Sequence, residues 1–274
     1  MRLQDLHTHS VFDDGSATLE QMVRAAFKEG LSAIGLSCHS PLVNEDWTMP
    51  KIKMQDFLQE STRLKQKYKG KIEVWCGIEF DLCSKVELSG FDYVIGSLHT
   101  TVTPAGSFYA DYSADIARHG IDRFFAGDAD AAAEAFFAQY RAMAENPEID
   151  VVGHFDLITK FDEQGRLYDA ESPRYQAAAR AAMRELAEAG KIFEINSGAM
   201  SRGYRSEPYP ARDLLEYLHS IGGKVCVTSD AHSVQGVGYA FRQSLELAED
   251  CGFKELWFLT DQGFVPVTIK EIER

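Results

Sequence analysis

Five short apolar runs, at residues 3–6, 33–37, 93–97, 151–153 and 225–229, each hand the chain on to one or two histidines. These are His7, His9, His39, His99, His154 and His232, six of the eight present. A further run, 73–77, delivers a carboxylate, Glu79, in the same way. Runs of this length read as β-strands, and strand ends are where barrel folds gather side chains from distant parts of a chain. Neutral imidazole is the commonest protein ligand for zinc-like metals. Histidines at successive strand ends, with acids beside them, therefore point to one face that collects a multi-metal site.

The stretches between the runs have helical periodicity. In 18–29, Leu19, Met22, Val23 and Ala26 recur at helical spacing between an N-cap residue, Thr18, and a terminating Gly30. Similar helices are expected at 54–68, 129–144, 173–189, 211–220 and 237–250, with further strands at 192–195 and 224–228. Residues 255–259 form either an eighth strand or a hairpin with 264–267. Strand–helix alternation implies a parallel sheet, and seven or eight units imply a closed or nearly closed barrel. With 274 residues, 45% of them hydrophobic, and neither linker nor repeat, the chain reads as a single α/β domain spanning 1–274. Two segments, 39–53 and 100–128, interrupt the alternation and are candidate lids.

Composition narrows the partners. The formal charge, 28 − 42 = −14, argues against a nucleic-acid surface. The five cysteines include no CxxC pair, so Cys38, Cys76 and Cys226, in or beside strands, are expected to be buried thiols. Met1 is followed almost at once by the first histidine motif, with no charged-then-apolar leader, and no apolar run approaches the roughly 20 residues of a membrane helix. The expectation is a soluble cytoplasmic protein.

The ligand candidates carry the chemistry. His7 and His9 are two residues apart, a spacing that turns both side chains to one side of an extended segment. Asp13, Asp14 and Gly15 follow directly. His39 ends the second strand. Glu79 can bridge two metal ions because it has two oxygens, and His99, His154, Asp230 and His232 complete the set. His119, in a polar loop, and His219, on a helix, are expected at the surface.

The motifs DLHTHS…DG, CH, GIE, SLH, GHFD and SDAH resemble the four-part signature of the polymerase and histidinol phosphatase (PHP) family of metal-dependent phosphoesterases. Residues 194–205, followed by Tyr209 and Pro210, resemble the family's stand-alone L-histidinol-phosphate phosphatases. The resemblance implies a distorted (βα)7 TIM-like barrel with two or three divalent ions (Zn, Mn or Fe) at the C-terminal ends of the strands. It places His7, His9, Glu79 and Asp230 on the first ion and Glu79, His99 and His154 on the second. The third takes His39, His232 and Asp14, with Asp13 as the rival. A hydroxide held between metals bound by Glu79 and Asp230 would attack a phosphomonoester, the ions neutralising phosphate oxygens. Arg202, then Lys160 and Arg205, are the candidates to hold phosphate, and Asp156 to receive a substrate amine. The implied reaction is hydrolysis of L-histidinol phosphate. The alternatives are another small phosphomonoester or a short nucleotide as substrate, and a metal-binding domain without catalysis.

Overall fold

Seven strands pair only in parallel, because a helix or long connection returns the chain to the same end of the sheet before most new strands begin. The computed structural model describes residues 2–163 and 167–272. The elements run β1 (Gln4–Asp5), α1 (Leu19–Lys28), β2 (Ala33–Leu36), α2 (Met54–Tyr68), β3 (Glu73–Asp81), β4 (Tyr93–Ser97), β5 (Thr100–Thr103), β6 (Gly106–Tyr109), α3 (Ala114–Phe125), α4 (Ala129–Ala138) and α5 (Tyr140–Glu145). Then follow β7 (Val151–Val152), α6 (Pro173–Glu188), β8 (Ile192–Asn196), α7 (Gly198–Ser201), α8 (Arg212–Ser220), β9 (Lys224–Thr228), α9 (Phe241–Asp250), β10 (Glu255–Thr260) and β11 (Gly263–Thr268).

The main sheet has the order β1-β2-β3-β4-β7-β8-β9. It closes through a single parallel bridge, Thr8 to Ala231, in which His9 N–H donates to Ala231 O at 2.9 Å and Ala231 N–H to His7 O at 3.2 Å. The result is a distorted (βα)7 TIM-like barrel. Closure occurs at the histidine motif itself, so His7 and His9 lie on the barrel seam.

Two apolar clusters flank the strands. The outer one lies beneath the helices, where α1 buries Leu19, Met22, Val23 and Ala26 behind a Thr18–Gln21 capping box. The inner one fills the barrel with Leu6, Ala33, Trp75, Tyr93, Ile95, Val151, Ile192 and Cys226. The β10–β11 hairpin adds Leu259 to it and packs Trp257 and Phe264 against it. Tyr93 is the largest demand on this interior. Its ring occupies space left by Gly35 and Gly77, where a Cβ would overlap the ring, and its hydroxyl donates to Leu6 O.

Several expectations are corrected. The third strand continues past Gly77 to Asp81, because residues 77–81 pair in register with β4, so Glu79 sits within the strand. The 100–128 segment is ordered as the β5–β6 hairpin and α3, whose Ser113 cap accepts from Ile116 N. Gly120 masked that helix in the sequence; here its missing Cβ lets the helix approach Phe108. His119 accordingly lies on a helix, though still exposed. The 129–144 helix breaks at Gln139, whose side-chain oxygen accepts Val102 N–H. The last long helix starts at Phe241, since Gly238 and Ala240 are left-handed. Residues 255–268 form the hairpin rather than an eighth barrel strand. Cys38 and Cys226 are buried, while Cys76 is only partly so. No helix among the described residues is long and apolar enough to cross a membrane.

Gly35→Ala should force the Tyr93 ring to shift and destabilise the protein by about 1–3 kcal/mol. An unchanged urea midpoint would show that the interior has slack there.

Candidate metal centre

The strand ends bring all nine expected ligand positions to one end of the barrel. Glu79 projects from β3, and His99 and His154 follow β4 and β7. Asp230 and His232 follow β9, while His39 forms a bridge with the backbone of Glu79. Asp230 adopts a left-handed backbone, φ 49°, and packs where a Cβ on Gly198 would come within 2.5 Å of its Oδ2.

Glu79 is fully buried at the centre. Its Oε2 faces His39 Nδ1 at 2.7 Å, His7 Nε2 at 3.2 Å and His9 Nε2 at 3.5 Å. Its Oε1 faces His154 Nε2 at 2.9 Å and His99 Nε2 at 3.4 Å. Asp230 Oδ1 stands 3.1 Å from His9 Nε2 and 3.8 Å from His7 Nε2. Three groups of donor atoms are close enough to share an ion: His7, His9 and Asp230; His39, Glu79 and His99; and His9, Asp14, His39 and His232. The third is the most open, with Asp14 34% and His232 21% exposed at the side chain. His9 and His39 each belong to two of these groups, whereas the family resemblance placed each on one ion. His154, expected on the second ion, is in none of them, although its Nε2 lies 2.9 Å from Glu79 Oε1.

The donor set fits divalent cations. His7 Nε2, His9 Nε2 and Glu79 Oε2 are buried without a hydrogen-bond partner among the described residues, a costly arrangement for polar atoms unless something else coordinates them. Burial alone would push the Glu79 carboxyl up, but His39, His7 and the bond from His154 hold it well below its usual range. Burial disfavours a charged His9, yet Asp13, Asp230 and Glu79 outweigh it and raise the ring to about 10. The cluster therefore carries a field that favours positive charge.

Three carboxylates orient imidazoles from behind. His7 Nδ1 pairs with Glu194 Oε2 at 2.9 Å, His9 Nδ1 with Asp13 Oδ2 at 2.7 Å, and His99 Nδ1 with Asp81 Oδ2 at 3.0 Å. Each acid accepts the Nδ1 proton and so leaves the Nε2 lone pair turned toward the cluster, the usual support for a metal-binding histidine. Asp13 also accepts from Ser10 N and His39 N. Its oxygens are thus engaged behind the rings, while Asp14 Oδ1 reaches His232 Nε2 at 3.2 Å. Glu194 and Asp81 were not singled out from the sequence. The signal for Glu194 was an acid inside the apolar run 192–195, where only a buried partner makes a charge tolerable.

A cavity opens over the cluster, lined by Arg202 and Lys160 among others. Arg202 places Nη1 2.7 Å from His232 Nδ1 and donates from Nη2 to Asp230 Oδ2 at 3.1 Å. Lys160 donates to the carbonyl and carboxylate of Asp111 at 2.8 and 3.2 Å. Arg205 and Asp156 instead line an adjoining pocket. There Asp156 is fully buried and accepts from Ala211 N, and Arg205 donates to Thr159 and stacks over Tyr209. The two candidate lid segments do reach the cavity wall, 39–53 through Trp47 and 100–128 through Tyr109, Asp111 and Tyr112. Tyr204 reaches it from the 194–205 stretch, though the sequence did not mark these five as site residues. They belong to loop and hairpin segments without metal-ligand chemistry. His119 and His219 are exposed, on α3 and α8, and belong to none of these groups.

Comparison with known proteins yields a match to the PHP domain family over residues 5–198. A Schizosaccharomyces pombe protein named "Probable histidinol-phosphatase" is 25% identical over 258 residues, 87% of this chain and 82% of its own. The Bacillus subtilis "Histidinol-phosphatase" is 23% identical, covering 90% of this chain and 99% of its own. The structure of a Lactococcus lactis histidinol phosphate phosphatase, in complex with Zn, L-histidinol and phosphate, superposes with a TM-score of 0.70 at 20% identity, covering 96% and 99% of the two chains.

Replacing Asp14 with Ala should remove one bound metal equivalent in elemental analysis. Asp13→Asn should keep the stoichiometry and weaken affinity by about 10–100-fold; the reverse pattern would exchange the two roles. Because the free protein holds an extra proton on His9 at neutral pH, an ion must displace it. Apparent affinity should therefore rise with pH, with proton release on binding. Calorimetry in buffers of different ionisation enthalpy measures that release, and its absence would contradict the charge state assigned to His9.

Proposed function

The chain belongs to the PHP domain family, and from that premise, together with the geometry of the cluster, we propose that it hydrolyses L-histidinol phosphate to L-histidinol and phosphate. The observation that carries the hydrolytic half is Glu79, one carboxylate whose two oxygens face different sets of imidazoles. That is the disposition needed to hold two cations side by side. The named relatives, matched along most of their length, support the substrate.

In this reading His7, His9, Glu79 and Asp230 hold one divalent ion, and Glu79, His99 and His154 a second. Asp14, His39 and His232 hold a third. The mixture of imidazole and carboxylate suits Zn, Mn or Fe better than an all-oxygen Mg or Ca site. Such ions, when bound, lower the pKa of a water toward neutrality and neutralise phosphate oxygens. Around them the chain's own groups do the rest. Glu194, Asp13 and Asp81 fix the imidazoles so that no reorganisation is needed as charge develops. Arg202 stands between Asp230 and His232, and its guanidinium can grip two phosphate oxygens at once. Lys160 adds a cation on the same cavity wall, with Asp111 limiting how far its ammonium can move.

The purified protein should release phosphate from L-histidinol phosphate, lose that activity with a chelator and regain it with Mn or Zn. Faster turnover of unrelated phosphomonoesters would overturn the substrate while leaving the hydrolytic chemistry in place. Arg202→Ala should keep the metal content and lower kcat/KM by roughly a hundredfold, the scale of one lost transition-state donor. Unchanged kinetics would remove Arg202 from the site.

A further inference from the structure

The proposed hydrolysis leaves unused a wall of aromatic rings that climbs out of the cluster. Trp47, from the segment after β2, sets its ring edge-on to His39 and His99, with centroids 4.7 and 5.2 Å away. Tyr109, at the end of β6, lies 6.1 Å beyond Trp47, and Tyr112 a further 6.3 Å on. All three line the cavity, and Tyr112 is 67% exposed at its mouth. Folding gains little from an aromatic ring left in water, so the feature suits a surface completed by a ligand. The wall is also braced. The Trp47 indole donates to Glu45 at 3.0 Å, and the Tyr109 hydroxyl shares that carboxylate as a partner.

Asp111 lines the same cavity between Tyr109 and Tyr112 in sequence. Its Oδ2 and carbonyl accept from Lys160, and among the described residues Oδ1 accepts no hydrogen bond. A carboxylate that lines one cavity together with electron-rich rings is a receptor for an ammonium group joined to a flat ring.

We propose that Trp47, Tyr109 and Tyr112 stack the ring, and Asp111 binds the ammonium, of the alcohol half of the phosphate ester, so that this wall selects the substrate. The inference rests on the phosphatase reading above, which supplies the phosphate end. Histidine and carboxylate chemistry at the floor treats every monoester alike, whereas the wall distinguishes alcohols by ring and charge.

The test is a panel of three esters: L-histidinol phosphate, imidazolylpropyl phosphate (the same ester without its amine) and glycerol phosphate. The readouts are two ratios of kcat/KM, one for the amine and one for the ring, measured on metal-loaded protein. Asp111→Asn should cut the amine ratio by about tenfold or more, the scale of a lost charged hydrogen bond. Tyr112→Ala, at an exposed position that should not disturb folding, should cut the ring ratio and leave metal content intact. An amine ratio unmoved by Asp111→Asn overturns the ammonium site, as does a uniform fall across all three esters, the pattern expected if Asp111 only restrains Lys160. A ring ratio unmoved by Tyr112→Ala and by Trp47→Phe overturns the stacking wall. If the wild-type protein turns over a different ester best, the substrate reading fails, while both ratios are still measured and still decide the role of the wall.

Discussion

The buried carboxylate of Glu79 is the constraint on which the rest of this structure depends. Removing an ionised carboxylate from water is strongly unfavourable unless positive charge or hydrogen-bond donors surround it. Five imidazoles surround Glu79, and they come from four separate strand-end segments of the chain. The barrel is the device that brings them together. Closing the sheet through Thr8 and Ala231 brings the first and last contributors, His7 and Asp230, to within 3.8 Å.

A single alternation along each strand separates packing from chemistry. On β3 the inward positions run Trp75, Gly77, Glu79 and Asp81, and on β8 they run Ile192, Glu194 and Asn196. In both, the same face changes from apolar to polar toward the C-terminal end. The apolar half forms the plug around Tyr93, closed from below by the β10–β11 hairpin. The polar half sits on that plug and takes its rigidity from it. Asp230 shows how closely the upper half is determined. A left-handed backbone costs a non-glycine residue roughly 1–2 kcal/mol, yet buried Asp5 fixes the preceding turn by accepting from Ser229 N, Ser229 Oγ and Gly238 N. Gly198 leaves the space that the Asp230 side chain then fills.

What was legible in the sequence follows from the same division. The candidate ligand positions stood out because six histidines fall at successive strand ends, where any one alone would read as a buried hydrogen-bonded ring, and the strands were marked by short apolar runs. The choice of Asp14 over Asp13 rested on the family resemblance alone. Both are acids in one turn, and only the fold shows Asp13 occupied behind His9 and His39 while Asp14 faces the cluster. Glu194 was hidden inside a strand, since a supporting acid has no motif of its own. Helix α3 was hidden by Gly120, a residue that reads as a breaker locally and is required by contact with Phe108. Arg205 and Asp156 were plausible by type, yet Asp156 opens the turn at Leu157–Thr159 and Arg205 donates to Thr159 there, so both line the neighbouring pocket.

The segments of the cavity wall were legible as candidate lids but their contact residues were not, for a physical reason that bears on specificity. Ligands at the barrel floor are set by a donor geometry that any divalent ion imposes, so their spacing repeats from one such site to another. Trp47, Tyr109 and Tyr112 answer to no such template. They reach the site from the segment after β2 and from the end of the β5–β6 hairpin, and Trp47 meets the rings of His39 and His99. That contact couples the two levels. The ring that would grade the substrate's alcohol also braces two of the imidazoles around Glu79. A change at Trp47 should therefore disturb both selection and metal binding, whereas one at Tyr112, two rings further out, should disturb selection alone.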